Sequence, residues 1–196
     1  MVPSDANVTQ DPVLTELIFR LPRLWIGYLI AILSFAAGVF ELARNPGAYA
    51  SSGEFPAIYL IGAAFGWFYW LFCVYRYHDV ITDIPGYNHP IAASRAVAFH
   101  FIPFYNFYWV YRWPSAIAEF VNWRTQSKTM KGWVPGSFVL VAVLTVRIID
   151  SSLGLLVLFT AGVYISRNLR RALLAPPVPA SALVSPPEIQ GTLGLK

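Results

Sequence analysis

The side chains best suited to chemistry are concentrated in one stretch of the chain, residues 76–113. This stretch contains all three histidines and two aspartates: His78, Asp79, Asp83, His89 and His100. Imidazole and carboxylate groups bind Zn²⁺ or Mn²⁺ when three or four of them converge, but these spacings match no metal-ligand pattern. The single cysteine, Cys73, cannot complete a thiolate site by itself. We therefore expect no bound metal and no other cofactor.

His100 and Asn106 lie in an uncharged run, residues 96–111, that Pro103 interrupts. Proline lacks an amide hydrogen and disfavours helix at the preceding Ile102, so a helix here is broken. Polar groups at membrane depth must find a partner or line a wet cavity. We therefore take His100, Pro103 and Asn106 as a candidate functional polar cluster, with capping of the following half-helix by Asn106 as the structural alternative.

Catalytic signatures are absent from the sequence. The chain contains no glycine-rich phosphate loop, no HExxH helix and no recognisable arrangement of Ser, His and Asp. The segments outside the apolar runs are also too short for a catalytic domain. We therefore predict that the protein is not an enzyme.

The composition indicates a membrane protein. Of the 196 residues, 57% are apolar and 12% are charged, whereas a soluble domain carries about 25% charged residues. The net charge of +4 is typical of basic cytoplasmic loops that contact lipid headgroups, and we expect no nucleic-acid partner. Residues 1–19 contain no Lys or Arg. They lack the positive region of a cleavable signal peptide, so the first apolar run is expected to stay in the membrane.

Long uncharged runs predict the membrane spans. Each span needs about 20 apolar residues to cross a bilayer. The predicted spans are residues 24–43, 55–75, 133–149 and 152–167. The last two come from one apolar run that is too long for a single helix, so we place a tight turn at residues 150–154, where the sequence reads DSSLG.

The run at residues 96–111 leaves two arrangements open. In the first, it enters and returns on one side, so that two transmembrane helical hairpins, four spans in all, are joined by a broken re-entrant or interfacial segment. In the second, it crosses and the chain has five spans. Lys and Arg concentrate on the cytoplasmic side of membranes, and four spans leave only Arg44 and Arg147 outside. We therefore predict an all-α membrane protein with four spans and both termini cytoplasmic.

Small residues on the first two spans are candidates for helix packing. They are Ser34, Gly38, Gly62 and Gly66. Small residues four apart let two helices approach closely. We expect these residues to pack within the first hairpin, with homodimerisation as the alternative.

A weakly amphipathic pattern follows Pro103. Its apolar positions are Trp109, Trp113, Ile117, Phe120 and Val121, and this pattern predicts an interfacial helix. A basic patch comes next: Trp123, Arg124, Lys128 and Lys131. Basic side chains flanked by tryptophan suit the anionic headgroups of the cytoplasmic leaflet, so we predict contacts with membrane lipids here.

Three regions are expected along the chain. Residues 1–19 form a flexible N-terminal tail and residues 20–171 an integral membrane domain. Residues 172–196 are rich in Pro and Ala and nearly uncharged. Such a segment cannot bury enough apolar surface to order itself, so we predict a disordered tail.

The sequence FIPFYNFYW at residues 101–109, followed by RWPSAIAEFVN, resembles small bacterial multi-pass membrane proteins of the domain-of-unknown-function kind. The shared pattern is Pro-Phe-x-Asn-x-Tyr-Trp, and the resemblance extends over about residues 20–170. It implies a location in the bacterial plasma (inner) membrane. It implies no activity, substrate or catalytic residue.

These observations together favour a non-enzymatic function. We predict an accessory, assembly or interaction protein of the membrane, with a membrane protein partner or a homo-oligomer. The alternative is a small oligomeric transporter or channel, in which the broken segment around Pro103 lines the path.

Overall fold

The computed structural model describes residues 12–47, 57–148 and 151–176. In these parts of the chain every regular element is a helix, which confirms the all-α prediction. The elements are α1 (Pro12–Phe19), α2 (Leu24–Arg44), α3 (Ala57–Thr82), α4 (Ala93–Ala98), a 3₁₀ turn (Phe99–Phe101), α5 (Tyr105–Thr125), α6 (Trp133–Ile148) and α7 (Ser151–Leu174).

Helices α2 and α3 form an antiparallel pair. Near the start of α2, the Tyr69 hydroxyl donates a 2.7 Å hydrogen bond to the Arg23 carbonyl. Near the middle of α2, Gly62 lies against Ser34, and a Cβ at Gly62 would overlap the Ser34 hydroxyl. The absence of a side chain at this glycine therefore sets how closely the two helices approach.

The other small residues of the first two spans also face neighbouring elements of the same chain. Gly38 lies against the Tyr59 ring, and Gly66 lies against the Leu155 side chain of α7. A Cβ at either glycine would meet these side chains closely. The Gly62 and Gly66 positions are thus occupied within the chain, which leaves no glycine groove there for a second copy.

Helices α6 and α7 form the second hairpin, with Gly154 of α7 packed on Val146 of α6. Gly154 lies inside α7, which begins at Ser151, so residues 151–154 belong to the helix and not to the predicted turn at 150–154, whose first residue lies outside the described residues. The Tyr59 hydroxyl accepts a 2.9 Å hydrogen bond from the Ser151 amide. This bond satisfies one of the free amides at the helix start.

Helix α7 runs parallel to α3 through the centre of the bundle. Leu155 lies against Gly66, and seven residues later the Gly162 carbonyl accepts a 3.0 Å hydrogen bond from the Tyr77 hydroxyl. The core between α3, α5 and α7 consists mostly of aromatic rings. Trp70 contacts Trp113 with ring centres 6.0 Å apart, and both side chains are fully buried.

Basic residues gather where α3 and α7 finish, which we call the basic end. They are Arg20, Arg23, Arg76, Lys128, Lys131, Arg167, Arg170 and Arg171. Arg20 binds Asp79 at 2.7 Å and Asp83 at 2.5 Å, and its carbonyl accepts a 3.0 Å hydrogen bond from Arg76. These contacts tie the segment between α1 and α2 to the last turns of α3.

The segment between α3 and α6 leaves the basic end and returns to it. It reaches the middle of α3, where His100 contacts Trp67 with ring centres 6.4 Å apart. There the chain breaks: Ile102 is extended, Phe104 has φ = 63° and α5 begins at Tyr105. At the end of α5, Arg124 donates a 3.3 Å hydrogen bond to the Ala175 carbonyl just beyond α7. The break at Pro103 thus occurs as the sequence predicts.

Both predicted tails contain helix where the structure describes them. Residues 12–19 form α1, whose Leu17 is buried against the bundle. Helix α7 continues through residues 172–174, where Ala172 and Leu173 are buried. These apolar side chains order the parts of the tails next to the bundle. Residues 1–11 and 177–196 lie outside the described residues.

Two helical stretches of the described chain have the length and composition needed to cross a membrane. They are Pro12–Arg44, which comprises α1 and α2, and Ser151–Leu174, which is α7. Trp133–Val146 in α6 is a shorter apolar helix.

The Gly62 contact predicts a specific loss of stability. In the variant Gly62→Val, the new side chain meets Ser34 and forces α2 and α3 apart, so we expect a loss of about 1–3 kcal/mol in the free energy of unfolding. Thermal unfolding of the purified protein measures this change. Gly132 has no atom within 4 Å of its Cβ position, so Gly132→Val is the control, with a change within about 0.5 kcal/mol. Equal losses in both variants would refute the close contact.

Candidate functional site

The most unusual polar feature of the described chain is a pair of histidines in the bundle. Nδ1 of His78, in the last turns of α3, lies 2.7 Å from Nε2 of His89, in the loop that follows. His78 is fully buried and His89 is half-buried. A hydrogen bond between two imidazoles therefore joins the loop at residues 83–92 to α3.

The loop sequence explains how two residues eleven positions apart meet. Helix α3 ends at Thr82, whose hydroxyl donates a 2.8 Å hydrogen bond to the His78 carbonyl. Gly86 follows Pro85 and has φ = 78°, a conformation that glycine adopts without strain. The resulting turn reverses the chain, so His89 returns to the side of the helix that carries His78.

Aromatic rings enclose the histidine pair. His78 stacks on Trp109 with ring centres 6.1 Å apart and contacts Trp113 at 5.9 Å, both from α5. On the loop side, Tyr87 stacks on His89 at 6.1 Å and packs on Phe120 at 4.8 Å. The pair therefore lies between α3 and α5 in a poorly hydrated environment.

The far nitrogens of both rings are buried and lack a hydrogen-bond partner among the described residues: Nε2 of His78 and Nδ1 of His89. A neutral imidazole has one N–H and one bare nitrogen. Whichever ring donates in the shared bond, one far nitrogen keeps an unpaired N–H and the other an unpaired lone pair. Leaving such groups unpaired costs about 1–3 kcal/mol each, so the pair is held by its aromatic packing rather than by its full hydrogen-bonding capacity.

Burial keeps the loop histidine neutral. It lowers the pKa of His89 from 6.5 to about 4, because the charged form loses hydration. Asp79 does not offset this effect, since its carboxylate binds Arg20 and Arg76 at 2.7 and 3.1 Å. At neutral pH the two rings therefore share a hydrogen bond without carrying charge.

The pair is poorly suited to a metal ion. Among the described residues no group of three His, Cys, Asp or Glu side chains converges. A metal held by the two facing nitrogens would leave both far nitrogens as N–H groups. Metal-bound histidines usually donate that hydrogen to an acceptor, and here neither ring has one.

The predicted polar cluster is only partly brought together. His100 donates from Nδ1 to the Ala96 carbonyl at 2.9 Å, and Trp109 donates to the same carbonyl at 2.8 Å. Pro103 is exposed at the chain break. Asn106 is the second residue of α5, and its Oδ1 is buried without a described partner, so it does not cap this helix. No hydrogen bond between His100 and Asn106 occurs among the described contacts.

Only some residues of the predicted headgroup patch are exposed. Lys128 and Lys131 are exposed and Trp123 is half-buried. Arg124 is 8% exposed and turns inward to the Ala175 carbonyl, so it is not available to a headgroup. The negative end of the α7 dipole explains this orientation, because a cation near the last carbonyls of a helix is stabilised.

Comparisons with protein-family models, with curated proteins and with solved structures find no match to this chain. The resemblance to small bacterial membrane proteins therefore stays a prediction from residues 101–109.

Sequence reasoning missed the histidine pair. The sequence places His78 just after a predicted span and His89 in a loop that contains Pro85 and Gly86, and no motif links the two residues. The one available signal is the Pro85–Gly86 turn between them, which predicts a chain reversal.

The histidine pair predicts that the loop at residues 83–92 loosens in acid. Since burial lowers the pKa of His89 to about 4 from 6.5, the docked loop binds fewer protons than the released loop between these values. Its stability is complete above pH 6.5 and falls as the pH approaches 4. Hydrogen exchange of the loop amides, corrected for the intrinsic effect of pH, measures this opening.

The control for this prediction is His89→Gln, whose amide keeps a polar group near the position of Nε2 but takes up no proton in this range. We expect its loop opening to vary much less with pH. The same acid-induced opening in both proteins would show that His89 is not responsible.

Proposed function

We propose that this chain is a polytopic protein of the bacterial plasma membrane that acts by association and not by catalysis. The observation that carries the membrane location is a belt of large apolar side chains on α2 and α3, each more than half exposed: Trp25, Leu33, Phe40, Phe65 and Phe68. Exposing such a side chain to water costs about 1.5–3 kcal/mol. A bilayer removes this cost for the whole belt.

The chain path supports four spans with both termini cytoplasmic. Helices α2, α3, α6 and α7 run the length of the bundle, whereas the segment between α3 and α6 returns to the basic end from the middle of α3. The concentration of Lys and Arg at that end matches the cytoplasmic side of a membrane protein. In this arrangement residues 93–125 form a re-entrant element.

Association is better supported than transport. The interior along α3, α5 and α7 is filled by rings that are at most 1% exposed: Trp70, Tyr77, Trp113 and Phe159. A path through the core of one chain would require several rings to move together, which leaves transport only a path between copies beside the segment around Pro103. The contacts of the chain with its surroundings are instead made by its apolar belt and by exposed lysines at the basic end.

The four-span topology predicts which loops a membrane-impermeant maleimide reaches. Single cysteines replace Asn88, Ser127 and Asn45, all exposed, while the native Cys73 is buried and stays in place. Asn88→Cys and Ser127→Cys should react only from the cytoplasmic side, and Asn45→Cys only from the opposite side. Reaction of the first two from opposite sides would show that the middle segment crosses.

The association proposal predicts more than one polypeptide per particle. Native mass spectrometry of the full chain, extracted from its membrane into lipid nanodiscs, gives the mass of the intact assembly. We expect a defined complex, with either a second copy or a different polypeptide in fixed ratio. A particle that contains only one copy of the chain and lipid would contradict the proposal.

A further inference from the structure

Four exposed arginines lie at the basic end, where α2 begins and α7 finishes. They are Arg23, Arg167, Arg170 and Arg171, and we call them the arginine corner. The three in α7 are separated by three and four residues. Like charges at these spacings face each other on a helix and repel. The structure therefore concentrates positive charge here, and a bound anion would offset the repulsion.

Contacts between α2 and α7 bring the arginines of the two helices to the same side of the bundle. The Tyr28 hydroxyl of α2 lies 2.8 Å from the Thr160 hydroxyl of α7. Arg167 and Arg171 follow Thr160 by seven and eleven residues, so they share its face of the helix. Because α2 runs antiparallel to α7, Arg23 lies from Tyr28 toward the end of α7 that carries these two arginines.

The carboxylates near the basic end do not neutralise the arginine corner. Asp79 and Asp83 bind Arg20, and Asp79 also binds Arg76. Glu16 of α1 is exposed and forms no ion pair with a described residue. Within the described ranges, the four arginines of the corner therefore carry positive charge without an acidic partner.

Aromatic side chains beside the arginine corner mark the depth of the membrane surface. Trp25 lies two residues after Arg23 and is 62% exposed. The half-buried Tyr69 donates its hydroxyl hydrogen to the Arg23 carbonyl at 2.7 Å. Tryptophan and tyrosine concentrate where the hydrocarbon region meets the headgroups. In the topology proposed above, the arginines therefore lie at the level of the phosphates of the cytoplasmic leaflet.

We propose that the arginine corner binds the phosphate of an anionic phospholipid in the cytoplasmic leaflet. A guanidinium presents two N–H groups to two phosphate oxygens, and such charge-assisted hydrogen bonds are stronger than neutral ones. Helix α2 begins at Leu24 without an acidic residue in its first turn, so its positive end adds to the attraction. The exposed apolar side chains of Trp25 and Leu29 continue from the arginines along α2 and suit the acyl chains of the same lipid.

The combination of charge and apolar surface favours a lipid over a soluble anion. A soluble anion would use the arginines alone, whereas a phospholipid also covers the apolar side chains next to them. The site rests on the membrane location and orientation proposed above. It is separate from the predicted headgroup contacts of Lys128 and Lys131, which follow α5.

Retention of lipid by the full-length chain tests this site. The protein is placed in nanodiscs with equal amounts of phosphatidylglycerol and phosphatidylcholine, and native mass spectrometry counts the lipids that stay bound. We expect phosphatidylglycerol to be retained in preference. Arg23→Gln combined with Arg167→Gln should lower its retention at least about tenfold, because basic side chains near the membrane surface attract anionic lipid.

The matched control removes two exposed arginines elsewhere, Arg44→Gln combined with Arg95→Gln. Its net charge equals that of the first variant, and its retention of phosphatidylglycerol should stay within about twofold of the native chain. Equal losses in the two variants would overturn the site.

Arg23→Lys combined with Arg167→Lys separates a binding site from diffuse attraction by charge. The net charge is unchanged, but an ammonium group cannot present the planar pair of donors that a guanidinium offers to phosphate. We expect retention of phosphatidylglycerol between that of the native chain and that of the glutamine variant. Retention equal to that of the native chain would show that net charge alone attracts the lipid, and would overturn the site.

Thermal unfolding separates lipid binding from a structural role of the arginines. A ligand that binds only the folded chain raises the unfolding temperature. Phosphatidylglycerol should therefore raise the unfolding temperature of the native chain but not that of the glutamine variant, and in phosphatidylcholine alone the two should unfold alike. A variant that is less stable in phosphatidylcholine but gains as much stability from phosphatidylglycerol as the native chain would overturn the site.

Carbonate extraction of the native membranes keeps the lipid site distinct from the proposed function. A chain that stays in the membrane but shows no preference for phosphatidylglycerol rejects the lipid site alone. An extracted chain rejects the membrane location, and the lipid site with it.

Discussion

The packing of aromatic rings around Trp113 is the interaction on which the rest of the structure depends. Trp113 contacts Trp70, Tyr77 and His78 of α3, with ring centres 5.9–6.2 Å apart. Large rings, rather than close backbone contact, therefore join α5 to α3. Since α5 is the returning arm of the segment between α3 and α6, these contacts determine where that segment lies along α3.

The histidine pair follows from the same packing. Rings from α5 and from the loop exclude water from His78 and His89, and in that dry environment two neutral imidazoles can share one hydrogen bond. The far nitrogens stay unpaired because the aromatic neighbours offer few hydrogen-bond donors or acceptors. Aromatic packing thus holds these two polar side chains together. Because burial keeps His89 neutral, its protonation is coupled to the docking of the loop.

The exposed surface of α2 and α3 is largely apolar. Many large apolar side chains of α2 and of the first half of α3 point outward, while small residues such as Gly62 and Ser34 occupy the contact between the two helices. This distribution is the reverse of a water-soluble bundle and suits a protein whose surroundings are apolar. At the chain break the aromatic side chain of Phe104 is also exposed, and its backbone has φ = 63°.

The sequence by itself determined the helical class, the break at Pro103 and the apolar face of α5, because local propensity and periodicity act over neighbouring residues. It also indicated the positions of α2, α6 and the start of α7 closely. It predicted an interfacial α5 and an outward Arg124, whereas the structure buries Trp113 in the core and turns Arg124 toward α7. Only the tertiary structure decided these points and the meeting of His78 with His89, because such contacts depend on which distant helices pack together, and no local pattern encodes that choice.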